Sequence, residues 1–403
     1  MISPAALDIF LRERRVGTIT RLDGDRSIFA FDEAYLADEE RPTLSLSYKD
    51  QYGAVINQPR ACQTKIEPFF SNLLPEGALR DFLARRAGVK PVREYQLLAQ
   101  LSEDLPGAVR AVSVDAIDLE DGEDDAEGAA ARAAKALRFS LAGIQLKFSA
   151  LKGRDKNGSL TIPAHGTGGD WIVKLPSSRH PDVPENEFAA MTLAAKLGIE
   201  IPEIDLLPLE AIDGLPNGIA RLGESAFAIR RFDRSENGAV HIEDFAQVFG
   251  VLEDDKYKGS YREILRILAI ETDEKSVVEF VRRLTYSVLI GNGDMHLKNW
   301  SLIYPDGRAP ILAPAYDLLS TVAYIPEKDS ALKFNGSREW NSFTYGELEA
   351  IADKAKLPAH LLVQTAREIV ERFDDLWPKE RSHLPFAKDV IDAIERHRKS
   401  LAI

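Results

Sequence analysis

Cysteine is almost absent from this chain: Cys62 is the only one in 403 residues. A single thiol closes no internal disulfide and builds no thiolate metal cluster, so a reducing cytoplasm is the expected setting. No run of eighteen or more apolar residues occurs, which excludes a hydrophobic membrane-spanning helix. The N-terminal MISPAALDIFLRERR places its arginines after its short apolar stretch, the reverse of a signal peptide. Positive charge is also short. Lys and Arg number 51 against 64 Asp and Glu, a formal net charge of −13, which argues against nucleic-acid binding through overall basicity. There is no low-complexity tract and no internal repeat. With 45% apolar and 29% charged residues the chain is expected to be globular. At about 150 residues per domain its length suggests two or three domains.

Negative charge has one concentration. From Asp115 to Glu127 the sequence DAIDLEDGEDDAE holds eight acids in thirteen residues and no base. Such a run repels itself and offers few apolar anchors, which predicts a solvated linker or loop. Without it the chain is only mildly acidic. The division expected from this is an N-terminal α+β unit over 1–112, the acidic linker over 113–136, a strand-rich small lobe over 137–232 and a helical large lobe over 233–403. In the first unit, Val16–Arg21 and Ser27–Phe31 flank an Asp23-Gly24 pair and read as a hairpin. FFSNLLPEGALRDFLARRAG reads as a helix starting near Pro75, with Leu79, Phe82 and Leu83 on one face and Gly88 as its stop. Past the linker, WIVKLP (171–176) and GESAFAIRRFDR (223–234) read as strands and ENEFAAMTLAAKLG (185–198) as a helix. Amphipathic helical spacing then dominates in YREILRILAIET, EKSVVEFVRRLTYSVLIGN and HLLVQTAREIVERFDDLW.

The stretch Gly291-Asn292-Gly293-Asp294-Met295-His296-Leu297-Lys298-Asn299 holds most of the readable chemistry. In phosphoryl transfer an Asp accepts the proton of the attacking hydroxyl, and an Asn five residues later holds a metal ion on the phosphates. Taken alone, D-x-x-x-x-N also fits a polar turn capped by Asn. Asp317, after the apolar run of ILAPAYDLLST, suits a Mg²⁺ ligand as well as it suits the N-cap of a helix starting at Leu318. Lys174 sits between Val173 and Leu175, either to neutralise phosphate or to snorkel from an edge strand. Glu187 is placed to pair with it from the following helix. Upstream, Ser140, Ala142 and Gly143 are small enough for backbone N–H groups to approach phosphates, with Lys147 nearby. No Walker A motif and no G-x-G-x-x-G motif is present there.

Taken in order, S-L-A-G-I-Q-L-K, W-I-V-K-L-P, N-E-F at 186–188, R-R-F-D-R at 230–234, N-G-D-M-H-L-K-N and A-Y-D resemble the HipA toxins, serine/threonine kinases of bacterial toxin–antitoxin modules. F-F-S-N-L-L-P-E-G and L-L-A-Q-L-S-E-D-L-P-G-A-V-R extend the resemblance upstream. It implies a bilobal protein-kinase-like core behind an N-terminal α+β subdomain, using ATP and Mg²⁺. Asp294 would be the proton acceptor. His296 and Asn299 would lie at the nucleotide phosphates and metal, with Asp317 as second metal ligand and Tyr316 beside it. Lys174 would contact ATP phosphates, and Arg230, Arg231 and Phe232 would form the hinge next to adenine. Ala142, Gly143, Ile144, Gln145, Leu146 and Lys147 would be the phosphate loop, and Ser140 the autophosphorylated serine. A phosphate on Ser140 would repel those of ATP.

The same resemblance implies a helix-turn-helix antitoxin partner like HipB, contact with DNA only through that partner, no membrane association, and an aminoacyl-tRNA synthetase as the protein substrate. Two other readings stand beside it: a small-molecule kinase of aminoglycoside or choline type, and a catalytically silent co-repressor that only holds the antitoxin.

Overall fold

Leu7, Ile9 and Leu11 alternate with less buried neighbours, and this period of two makes β1 (Ala6–Leu11) a strand with one face on a core. The computed structural model describes residues 4–102, 105–114, 147–152, 160–161, 169–177, 179–213, 215, 221–325 and 329–403. β1 lies between β2 (Arg14–Leu22) and β5 (Val109–Ser113), and β3 (Arg26–Phe31) and β4 (Ala61–Gln63) complete an antiparallel sheet of order β4-β3-β2-β1-β5. The expected hairpin is β2–β3, turning through Gly24 at φ 73°. Helix α1 (Glu33–Ala37) follows the hairpin, and α2 (Pro68–Ser71), α3 (Gly77–Arg86) and α4 (Glu94–Gln100) complete this unit. α3 begins two residues after Pro75, because Glu76 remains extended as its N-cap. Phe69, Phe70, Leu97 and Leu98 close the unit's own core against the sheet.

The second sheet has the order β10-β7-β6-β8-β11-β9. Its strands are β6 (Lys147–Lys152), β7 (Leu160–Thr161), β8 (Trp171–Lys174), β9 (Ile204–Pro208), β10 (Ile212–Asp213) and β11 (Ser225–Arg230). β8 is therefore interior, flanked by β6 and β11, and Lys174 is not on an edge. β11 serves two cores at once. Ala226 and Ala228 pack with Trp171 and Val173, while Phe227 and Ile229 pack with Met191 and Leu193 of α5 (Val183–Lys196) on the other side. Leu79 and Leu83 of α3 also rest on the small-sheet core.

After β11 come the short pair β12 (Arg234–Ser235) and β13 (Gly238–Ala239), then β14 (His241–Asp244) and α6 (Phe245–Val248). β14 pairs with β15 (Ser301–Tyr304), which pairs with β16 (Ile311–Leu312). The long helices are α7 (Tyr261–Glu271), α8 (Glu274–Ile290), α9 (Tyr345–Ala355), α10 (Ala359–Glu380) and α11 (Lys388–Ser400). Each amphipathic pattern singled out in the sequence is one of these, with its apolar stripe in the largest core. Among the described residues no helix is long and apolar enough to cross a membrane. The acidic stretch 115–127, Ser140 and the phosphate-loop residues Ala142–Leu146 lie outside the described residues.

Candidate functional site

Helix α8 ends at Gly291, whose φ of 66° puts it in the left-handed region. The N–H of Asn292 returns to the Ser287 carbonyl at 2.8 Å, a Schellman-type closure that turns the chain sharply out of the helix and starts the loop carrying Asp294. A Cβ at Gly291 would lie 2.7 Å from both Val322 methyls and 3.0 Å from the His397 ring, so glycine is required by space as well as by φ. The loop is pinned from within. The Asn299 side-chain amide donates to the Asp294 carbonyl at 2.8 Å, and the Asp294 N–H donates to Asn292 Oδ1 at 3.2 Å. The Tyr257 hydroxyl donates to Asp294 Oδ1 at 2.7 Å, and its ring stands edge-on to His296, centroids 5.1 Å apart.

Asp317 is bound to this loop. Asn292 Nδ2 donates to the Asp317 carbonyl at 3.2 Å, and the Gly293 N–H donates to Thr321 Oγ1 at 2.7 Å. Asp317 has φ 54°, a left-handed conformation that Asp tolerates better than bulkier residues do. No helix begins at Leu318, so the N-cap reading of Asp317 falls away. Lys174, at the end of β8, donates to Glu187 Oε1 of α5 at 2.5 Å and also to Asp317 Oδ1. The neighbouring Asn186 ties α5 to the same segment, its Nδ2 donating to the Ser320 carbonyl at 2.8 Å and its Oδ1 accepting from the Ser320 N–H at 3.2 Å.

One ammonium thus serves a buried carboxylate, Glu187, and a partly exposed one, Asp317, and they share it unequally. Burial pushes Glu187 up to about 7 despite Lys174. Burial also acts on Asp317, but the positive charges of Lys174 and then Lys147 outweigh it and hold that carboxyl down at about 2. Burial works against the Lys174 charge, yet Asp317 and Glu187 together raise its pKa above the ordinary lysine value. Lys147 lies directly across from Lys174 in the β6–β8 register. Burial lowers His296 and favours its neutral ring, and its Nδ1 is buried with no hydrogen-bond partner among the described residues.

The residues expected at the hinge, Arg230, Arg231 and Phe232, close and follow β11. Arg230 is exposed and lies 3.8 Å from Glu203. Phe232 stacks obliquely on Tyr316, centroids 5.7 Å apart, and the Tyr316 hydroxyl donates to the Lys298 carbonyl at 2.8 Å. A cavity of about 250 Å³ beside them is lined by Pro202, Glu203, Arg230, Arg231, Phe232 and Arg234. The Arg231 guanidinium is buried in a paired contact with Asp233, Nε–Oδ1 3.0 Å and Nη2–Oδ2 2.9 Å.

The structure therefore brings Lys147, Lys174, Asp294, His296, Asn299, Tyr316 and Asp317 into one linked cluster, with Arg230 and Phe232 at its hinge side. Asp317 and the Asn299 carbonyl oxygen are hard donors suited to Mg²⁺. Such a sparse set fits a cation that keeps phosphate and water ligands. Among the described residues no group of three or more His, Cys, Asp or Glu side chains is gathered for a metal. Sequence reasoning passed over Tyr257, Asn186 and Thr321, and also Lys256 with its partner Glu76. Asn186 and Glu76 stand inside the quoted motifs N-E-F and L-L-P-E-G, which were the available signal.

Comparison with known proteins agrees with this arrangement. Residues 7–112 match the HipA N-terminal domain and residues 139–377 the HipA-like C-terminal domain. A Sinorhizobium fredii protein named "Putative kinase Y4dM" is 55% identical over 98% of this chain and 97% of its own. The serine/threonine-protein kinase toxin HipA of Shewanella oneidensis is 26% identical over 76% of this chain and 75% of its own. A solved complex of Shewanella oneidensis HipA with HipB and operator DNA contains a chain of the same fold, with a TM-score of 0.73 at 21% identity, covering 98% of this chain and 95% of that one. A site assembled from both lobes of a kinase-like core, behind an N-terminal sheet matched by its own family model, places this chain in the HipA family.

Proposed function

We propose that the chain is an ATP-dependent serine/threonine protein kinase and the toxin of a toxin–antitoxin module. The observation that carries this reading is the Lys174 ammonium held between Glu187 of α5 and Asp317, beside the loop of Asp294 and Asn299. A lysine–glutamate pair across strand and helix, with a metal-binding aspartate in reach, is the arrangement that phosphoryl transfer from ATP requires. Lys174 and Lys147 attract the phosphates, and neutral His296 offers its unpartnered nitrogen to them. Asp317 and Asn299 hold Mg²⁺, which when bound offsets phosphate charge. Asp294 orients the acceptor hydroxyl and takes its proton as the new oxygen–phosphorus bond forms and the bond to the ADP oxygen breaks. Arg230 to Phe232 border adenine through the hinge, with the charge of Arg231 committed to Asp233.

The phosphate loop at Ala142–Leu146 and self-inactivation at Ser140 belong to the same reading, as does the division at 1–112, 113–136, 137–232 and 233–403. A HipB-like helix-turn-helix antitoxin as partner, with DNA reached through it, is supported by likeness to a HipA solved with HipB and operator DNA. An aminoacyl-tRNA synthetase as substrate rests on the family resemblance, and a cytoplasmic setting on the single cysteine, Cys62. Asp294→Asn should retain ATP affinity by calorimetry and lose γ-phosphate transfer to serine by at least a hundredfold. Wild-type transfer by that variant would overturn the reading.

A further inference from the structure

Two lysines flank the reacting loop, and both reach into the N-terminal unit. Lys298, immediately before Asn299, donates from Nζ to the Asn72 carbonyl at 3.0 Å and to Asn72 Oδ1 at 3.1 Å, and pairs with Glu76 Oε1 at 3.0 Å. Lys256, immediately before Tyr257, donates to Glu76 Oε2 at 2.6 Å. Each oxygen of one carboxylate therefore holds a different segment of the large lobe. Those segments meet again on the far side, where the Leu297 N–H donates to the Lys256 carbonyl at 3.1 Å and the Tyr257 hydroxyl meets Asp294. Asn72 is itself fixed, its Nδ2 donating to the carbonyls of Val251 at 2.8 Å and Pro68 at 2.9 Å. An ordinary surface ion pair is exposed and joins two mobile side chains. Here Lys298 is only 11% exposed and Glu76 28%, and Lys298 precedes Asn299 while Lys256 precedes Tyr257, whose hydroxyl meets Asp294.

We propose that Glu76 is a positioning residue for phosphoryl transfer, so that the N-terminal unit, through this carboxylate, sets the register of the Asp294 loop and of Tyr257 upon it. The inference rests on the proposed roles of Asp294 and Asn299. Small displacements of a reacting group cost large factors in rate without changing how substrate binds. The clamp should therefore act on turnover rather than on nucleotide affinity.

The test uses the full-length chain with Mg-ATP, reading phosphate release to water, ATP affinity by calorimetry and hydrogen exchange of residues 293–299. Glu76→Gln should lower kcat at least tenfold, leave ATP affinity within twofold and speed exchange in that loop. Lys256→Met, which cuts only one arm, should lower kcat less. The double variant Glu76→Gln/Lys298→Met should be no worse than the poorer single, as expected for two groups acting as one unit. Turnover of Glu76→Gln within twofold of wild type, in a preparation where Asp294→Asn is inactive, would overturn the clamp and leave the catalytic reading standing. Parallel losses of kcat and ATP affinity with faster exchange throughout the chain would also overturn it, because the carboxylate would then be merely structural. Wild-type turnover by Asp294→Asn would refute the catalytic reading, and the clamp's catalytic meaning with it.

Discussion

Asp317 combines a left-handed backbone and a carboxylate for Lys174 with a third demand that the proposed function adds, an oxygen donor for a cation. Asparagine satisfies the first, since it also tolerates that backbone region, but it brings no negative charge to Lys174 and only a neutral oxygen to a cation. Asp317→Asn should accordingly keep the wild-type thermal midpoint to within a few degrees while phosphoryl transfer falls at least a hundredfold. A large drop in midpoint alongside the lost transfer would show that the Lys174 pair is needed for the fold. Lys174 then keeps Glu187, whose carboxylate no longer competes for the ammonium. Lys174, Asp294, Asn299 and Asp317 could be singled out in the sequence because each leaves a local trace: a charged residue in an apolar strand, an Asp and an Asn five residues apart, a carboxylate after a hydrophobic run. The roles expected of them came from the resemblance of the ordered set. Tyr257 left no such trace. Its role comes from a contact across 37 residues to Asp294, and no pattern within LEDDKYKG announces it.

At the scale of elements, the turn after α8 decides where Asp294 points. Gly291→Ala should shift the urea midpoint by the equivalent of about 2 kcal/mol or more. Left-handed backbone costs a Cβ-bearing residue ~1–2 kcal/mol, and the new methyl would also meet Val322 and His397. Gly24→Ala is the control, because at φ 73° nothing lies within 4 Å and only the backbone term applies. Equal shifts for the two would mean that the packing around Gly291 is readily relaxed. Periodicity made the amphipathic helices and the β2–β3 hairpin readable, since one face of each is buried and the other wet. β9 went unread for the converse reason: apart from Pro208 its residues are all half-buried, so no alternation marks it. The sharing of β11 between two cores was equally hidden, because SAFAIR is apolar on both faces and its pattern does not say which layer lies on which side.

For the whole molecule, the Glu76 link between the N-terminal unit and the large lobe is electrostatic and should respond to acid. Burial opposes the Glu76 charge, but the Lys298 and Lys256 ammoniums outweigh it and hold the carboxyl at about 2, below its ordinary 4.5. A folded pKa below the unfolded one stabilises the native state fully above about 4.5, and this contribution is lost as pH falls towards about 2. Glu76→Gln should therefore be less stable than wild type at pH 6 by something on the order of 2 kcal/mol, with the two curves converging as the pH drops through that window. Parallel curves from pH 6 to pH 2 would show that the carboxylate is not held down by its lysines.

The support beneath the Asp294 loop also has a consequence for timing. His397, in the last turn of α11, bonds through Nε2 to the Val288 carbonyl at 2.7 Å, and its ring abuts Gly291. The fully buried residues of the N-terminal core run no later than Ala111, and only the partly buried Ala239 joins them from later in the chain, so a chain emerging from the ribosome can form most of that core early. The Asp294 loop obtains its full set of neighbours only when residue 397 has emerged. During synthesis, then, the buried part of the N-terminal core can form before the Asp294 loop has its neighbours and before Lys256 and Lys298 reach Glu76.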